Sequence, residues 1–107
     1  MPSRLSSFSK TEIKKLWQNA QLKVKQPGIL VFTAPQSGPT GRVLLVIPKA
    51  AGTAPERNLF KRRVRSIFKE EKLTERGYDC IVRAHKNGVI IPFETLKTHL
   101  LEAFKRS

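Results

Sequence analysis

The sequence predicts an α+β fold: a single small α-β sandwich of order α-β-β-(β)-α-β-α, with helices packed on one mostly antiparallel sheet and a βαβ crossover. Apolar residues recur at helical spacing in three segments, which gives three helices. Three runs rich in aliphatic, β-branched or aromatic residues read as strands, set apart by Pro- and Gly-containing breaks. The chain has 107 residues, 39% of them hydrophobic, enough for one domain over residues 1–107 with one modest core.

Residues 1–8 read as a loose lead-in. Ser9, followed three positions later by Glu12, fits a capping box, with Phe8 and Ile13 at the staple positions that flank such a cap. Ile13, Leu16, Trp17 and Ala20 form one apolar stripe, so a first helix is expected near residues 10–20. A short strand over Leu22 to Lys25 is the bracketed element of the order above. Pro27-Gly28 interrupts the chain, and Ile29 to Ala34 is the first clear strand. Pro35 to Gly41 is a loop by composition. Val43 to Ile47 is continuously apolar and is assigned to a central strand, paired with Ile29 to Ala34 as a hairpin. Pro48 to Pro55 is read as loop, and Glu56 to about Lys72 as helix. Tyr78 to Ala84 is a strand, Lys86-Asn87-Gly88 a turn, and Pro92 the first position of a last helix bearing Phe93, Leu96, Leu100 and Phe104.

Charge narrows the function. Lys and Arg number 21 against 8 Asp plus Glu, a formal charge of +13. A folded domain so charged repels itself, and a polyanionic partner explains the excess. Nucleic acid is the first candidate and an anionic membrane surface the second. The longest apolar runs, such as Val43 to Ile47, fall far short of the roughly 20 residues that span a bilayer. Met1 to Lys10 is mostly polar and lacks a signal segment, so the reading is cytoplasmic, with no membrane partner.

Autonomous catalysis is not expected. The one Asp and seven Glu are scattered, whereas a protein nuclease gathers carboxylates or histidines around a metal or a proton. Asp79 reads as a surface or capping group. His85 and His99 lie on a strand end and a helix, far apart. Gly38 and Gly41 lack the Lys-Ser/Thr partner of a phosphate loop. Cys80 is alone, which rules out an internal disulfide or a Cys-rich zinc site, and in an apolar strand it reads as an inert buried thiol. No catalytic residue, metal ligand or tightly bound cofactor is assigned.

The informative segment is Arg57-Asn58-Leu59-Phe60-Lys61-Arg62-Arg63-Val64-Arg65, with five basic residues in nine. At about 100° per residue, Phe60, Val64, Ile67 and Phe68 share one helix face. Asn58, Lys61, Arg62, Arg65, Lys69 and Lys72 gather on another. Such a helix packs by its apolar side and offers a row of cations. Guanidinium forks bind phosphate oxygens through paired hydrogen bonds. Arg57 and Asn58 fall at the helix N-terminus, whose free N–H groups also favour phosphate. A one-signed face exceeds what solubility requires. A DNA-binding domain would expose a recognition helix for the major groove, which the surrounding strands argue against.

Residues 49–65 resemble the bacterial ribonuclease P protein family, whose helix motif has the form Arg-Asn-Arg-x-x-Lys-Arg-x-x-Arg-Glu after a strand and a Lys- and Gly-containing loop. Arg57-Asn58 and Lys61-Arg62-x-x-Arg65 match that motif. Ile47-Pro48-Lys49-Ala50-Ala51-Gly52 is similar to the family's Val-Ser-Lys-Lys-Val-Gly stretch, and Tyr78 to Ala84 resembles its hydrophobic strand ending in a basic residue. The likeness spans most of residues 4–105. The departures are Leu59 for the third motif residue, Ser66 for the final acid and Ala50 for the second loop lysine.

The resemblance implies a subunit of a ribonucleoprotein that removes the 5′ leader from precursor tRNA, the chemistry being carried by the catalytic RNA with bound Mg2+. It implies RNA contact by Lys49, Arg57, Asn58, Lys61, Arg62, Arg65 and Lys69. It also implies a cleft between the first helix and the sheet for the single-stranded leader. Two aromatics four residues apart on the family's first helix correspond to Ile13 and Trp17, and a strand aromatic to Phe32. Trp17 suits base stacking, though a Trp on an apolar stripe more often belongs to a core, Ile13 cannot stack, and Phe32 suits core and cleft alike. The other reading of the chain is a non-catalytic ribosomal or RNA-assembly protein that binds structured RNA.

Overall fold

A computed structural model describes residues 8–86 and 88–107. The expected lead-in, Phe8 apart, and Asn87 of the expected turn lie outside the described residues. The chain runs α1 (Lys10–Asn19), β1 (Gln21–Gln26), β2 (Ile29–Pro35), β3 (Val43–Val46), α2 (Ala54–Glu70), β4 (Tyr78–Ala84) and α3 (Phe93–Lys105). Short 3₁₀ turns cover Lys49–Ala51 and Leu73–Glu75. The α+β class, the element order and the bracketed strand, now β1, are all present.

The sheet order is β1-β2-β4-β3. β2 pairs antiparallel with β1 and β4, and β3 pairs parallel with β4, so α2 is the crossover of a βαβ unit. Two expectations fail here. Ile29 to Ala34 and Val43 to Ile47 do not form a hairpin, because β4 lies between them; the hairpin is β1–β2 around Pro27-Gly28. Its order of proline then a glycine at φ 81° is that of a type II turn. The Val43 run is not central but an edge strand. It is apolar throughout because both its faces meet cores: Val43 and Leu45 on one side, Leu44 and Val46 on the other. The central place goes to β4, whose Cys80, Ile81 and Val82 are all fully buried.

Alternation along the strands divides the sandwich. Ile29, Val31, Val43, Cys80, Val82 and Ala84 face α2 and α3, which contribute Phe60, Val64, Ile67, Phe68, Leu96, Leu100 and Phe104 to one main core. Full burial of each large side chain contributes about 1.5–3 kcal/mol. The other face carries a small core of Leu16 on α1 against Ala34 and Ile81. At the far end of the sheet, Gly28 and Gly88 meet backbone to backbone: a Cβ on Gly88 would stand 1.8 Å from the Gly28 carbonyl oxygen.

Several local readings shift. The Ser9–Glu12 capping box forms as expected. α2 begins at Ala54, not Glu56, because Thr53 and Glu56 make a second capping box, and Pro55 is tolerated in the first turn. Pro48 to Pro55 is therefore partly helical. α2 ends at Glu70, so Lys72, left-handed at φ 52°, falls off the cationic face. Pro92 caps α3 with extended ψ 144° instead of opening it. Of the surface and capping readings of Asp79, the first fails: it is buried and, in the manner of a cap, accepts hydrogen bonds from Arg42 N (2.9 Å) and Ser37 Oγ (3.1 Å), pinning the β2–β3 loop.

Candidate nucleic-acid interface

α2 is held by an apolar stripe and leaves its opposite side outward. Phe60, Val64, Ile67 and Phe68 are buried, the four residues the helical wheel selects. Asn58, Arg62 and Lys69 are exposed, while Lys61 and Arg65 are half-buried, with the Arg65 Nε itself buried. The described ion pairs are Arg42–Glu12 (2.8 Å), Lys97–Glu71 (3.4 Å) and Arg106–Glu102 (2.9 Å). None engages Lys61, Arg62 or Lys69, and Glu71, at the helix end, is turned to Lys97 on α3. Among the described residues, Lys61, Arg62 and Lys69 of α2 are thus not neutralised by neighbouring acids.

The loop before α2 is tied to it. Arg57 Nε donates to the Gly52 carbonyl at 3.2 Å, which fixes the turn carrying exposed Lys49 beside the helix N-terminus. Arg63, the fourth basic residue of the run, is diverted: its Nη1 donates to the Ile91 carbonyl at 3.1 Å. Lys49, Arg57, Asn58, Lys61, Arg62, Arg65 and Lys69 therefore sit on one continuous stretch of loop and helix.

Ile13, Trp17 and Phe32 belong to the opposite face of the sheet. Leu16 is the residue α1 buries, and Trp17 beside it stays 37% exposed, outside the buried core. Its ring meets Phe32 edge-on, centroids 5.2 Å apart at 71°. Ile13 is half-buried one turn back. Beyond Trp17, no described residue covers the continuing sheet floor. Register places Leu22 beside Phe32, and Leu30 and Val46 on either side of Arg83. Leu22 is 47% exposed and Arg83 is exposed. Lys25 stands opposite Leu30 on the same face. The result is an apolar and aromatic trough with cations at Lys25 and Arg83, the composition that holds single strands. The sequence reading assigned no role to Arg83 or Lys25. The signal for Arg83 was the alternation in β4, which puts Asp79, Ile81 and Arg83 on one face.

Burial pushes the Cys80 thiol far up, with the Asp79 charge adding to it. Glu12 is held down at about 2, first by its hydrogen bond from Arg42 and then by the Ser9 backbone N–H. Among the described residues no three His, Cys, Asp or Glu side chains are gathered as metal ligands, and no helix is long and apolar enough to cross a membrane.

Comparison with known proteins decides the lineage. The family model described as Ribonuclease P matches residues 2–107. The chain belongs to the ribonuclease P protein family. It is 32% identical over 77 residues to the ribonuclease P protein component of Citrifermentans bemidjiense, covering 72% of this chain and 66% of that one, so it spans just under two thirds of that relative. It is 29% identical over 97 residues to the component of Bacillus mycoides, covering 90% and 84%. The solved RNase P protein of Thermotoga maritima has the same fold, with TM-score 0.76, 23% identity and coverage of 97% and 98%. That of Staphylococcus aureus follows at 0.75, 20%, 97% and 95%. The ribonuclease P family fold thus presents, in this chain, a cationic helix on one side of its sheet and an open trough on the other.

Proposed function

We propose that this chain binds the catalytic RNA of ribonuclease P through the Lys49 turn and the outer row of α2, and holds the single-stranded 5′ leader of precursor tRNA in the trough beside α1. The observation that carries the reading is the row Lys61, Arg62 and Lys69, rigidly mounted and without a carboxylate partner among the described residues. Helical mounting fixes the spacing of the cations before binding, which lowers the entropy lost on contact. Each phosphate neutralised releases counterions, so affinity falls steeply with salt. In the trough, Trp17 and Phe32 present edges and faces to bases while Arg83 and Lys25 meet the backbone.

Magnesium and the cleaving chemistry are assigned to the RNA. The carboxylates of this chain that lie near the trough are otherwise occupied, Asp79 by Ser37 and Arg42 and Glu12 by Arg42. The protein's part is then to bind, to align the leader and to screen phosphate charge.

The test is reconstitution with the catalytic RNA of the source organism. The expected result is leader removal at low magnesium by chain plus RNA and none by the chain alone. Arg62→Glu with Arg65→Glu should weaken RNA binding roughly a hundredfold or more, as two charge-assisted contacts of about 1.5–3 kcal/mol each imply. The salt slope should fall by about one per residue. Unchanged affinity and slope would remove α2 from the interface, and cleavage by the chain alone would overturn the division of labour.

A further inference from the structure

Beside the cationic row lies a groove that the row does not explain. It is lined by Glu56, Leu59, Arg63, Val89, Ile90 and Pro92 and encloses about 400 Å³, within the range of about 300–1,000 Å³ common for small-ligand sites. Ile90 is 63% exposed and Leu59 40%. Gly52 lets Val89 close one end, because a Cβ there would stand 2.5 Å from Val89 Cγ2. Leu59 is the position where the family motif carries its third basic residue, so the groove is apolar at a point where phosphate contact would call for charge.

We infer that this groove seats an unpaired nucleobase of the RNA whose phosphates lie along α2. The inference rests on the RNA-binding reading of that helix and deepens it. On the helix, Arg62 of the cationic row is one turn from Leu59 of the groove wall. An occupant must therefore join an apolar flat body to adjacent negative charge, which is the chemistry of a nucleotide. The walls also supply polar edges. The Glu56 carboxylate gives one oxygen to the Thr53 N–H (2.8 Å) and faces the groove as an acceptor. Arg63, anchored on the Ile91 carbonyl, adds guanidinium donors. A base held between Leu59 and Ile90 meets an acceptor and a donor at its edge, while its phosphate reaches Arg62.

The experiment measures binding of a short oligoadenylate and of the same chain with every base removed. It is run in a Trp17→Ala, Phe32→Leu background so that neither aromatic of the trough beside α1 stacks a base. The background chain should prefer the base-bearing strand by about tenfold, within the span of one base on an apolar platform. Adding Leu59→Ser and Ile90→Ser should erase that preference and leave affinity for the baseless strand unchanged. Both side chains are exposed, so the fold is retained. A preference that survives these substitutions, or that never existed, overturns the groove assignment alone. Baseless-strand affinity that is insensitive to Arg62→Glu overturns the reading of the helix and the groove with it. A concentration-dependent dimer in sedimentation, dissolved by Ile90→Ser, would make the groove a contact between copies and overturn the inference.

Discussion

One face of the sheet lies under two helices and the other under one. On the first, Val31, Val43, Cys80 and Val82 have no exposed surface. On the second, α1 brings full burial to Leu16, Ala34 and Ile81, while Leu30, Phe32, Leu44 and Val46 stay half-buried around exposed Arg83. Both faces are written in the same aliphatic and aromatic alphabet. The difference lies in what covers them among the described residues. The closed face supplies the cohesion of the fold; the second leaves apolar surface and cations accessible together, the condition for gripping a flexible polyanion. Apolar residues on a strand therefore mark contact surface, and only the neighbouring elements decide whether that contact is internal.

Phe60→Ala gives the largest expected effect. The side chain is buried in the closed core, so its removal should cost about 3–5 kcal/mol in urea-induced unfolding. Phe32→Ala, on the half-covered face, should cost about 1–2 kcal/mol, a fraction of the value for full burial. Equal losses would erase the distinction between the faces.

The same contrast shows what the sequence could carry. Element type followed from local pattern: capping residues fixed the start of α1, and 3.6-residue spacing identified the buried side of α2 residue for residue. Strand order did not follow, because Val43 to Ile47 and Tyr78 to Ala84 are both apolar runs and nothing local says which one sits between neighbours. The surface alternative stayed open for Asp79 because its partners, Ser37 Oγ and the Arg42 N–H, are brought to it by a loop whose path depends on the parallel pairing of β3. Arg83 went unassigned for a related reason: its setting between Leu30 and Val46 comes from two other strands. The Leu59 groove is assembled from segments some thirty residues apart, so no window on the chain contains it.

Trp17→Ala comes next in size and acts on function instead of stability. The ring is partly exposed and outside the buried core, so unfolding free energy should change by less than about 1 kcal/mol, as for surface substitutions. Binding of precursor tRNA with a leader should weaken by about 1–3 kcal/mol, the worth of one stacked base, and binding of tRNA without a leader should not change. An equal loss for both substrates would place Trp17 outside the leader path.

The smallest effect isolates how α1 is attached. α2 and α3 are seated by buried apolar stripes, whereas α1 buries one residue fully and is also clamped by charge. Glu12 accepts from Ser9 N at 2.9 Å and from Arg42 Nη2 at 2.8 Å, and the Arg42 guanidinium lies 4.2 Å from the Phe8 ring centroid. The clamp lowers the Glu12 carboxyl from 4.5 to about 2. A carboxylate depressed in the folded state adds stability in full above its unfolded value and loses it as pH falls through the folded one. The clamp is thus complete above about pH 4.5 and fades toward pH 2. Trp17, the single tryptophan, sits on α1 and reports on this directly. Its emission should shift over that window at a pH where far-ultraviolet dichroism, dominated by the rest of the fold, still holds. Glu12→Gln should show the shifted emission already at neutral pH and no further change down to pH 3. Identical acid profiles for the two proteins would mean that α1 is seated by Leu16 alone, and that the half-open face owes nothing to the ion pair at its rim.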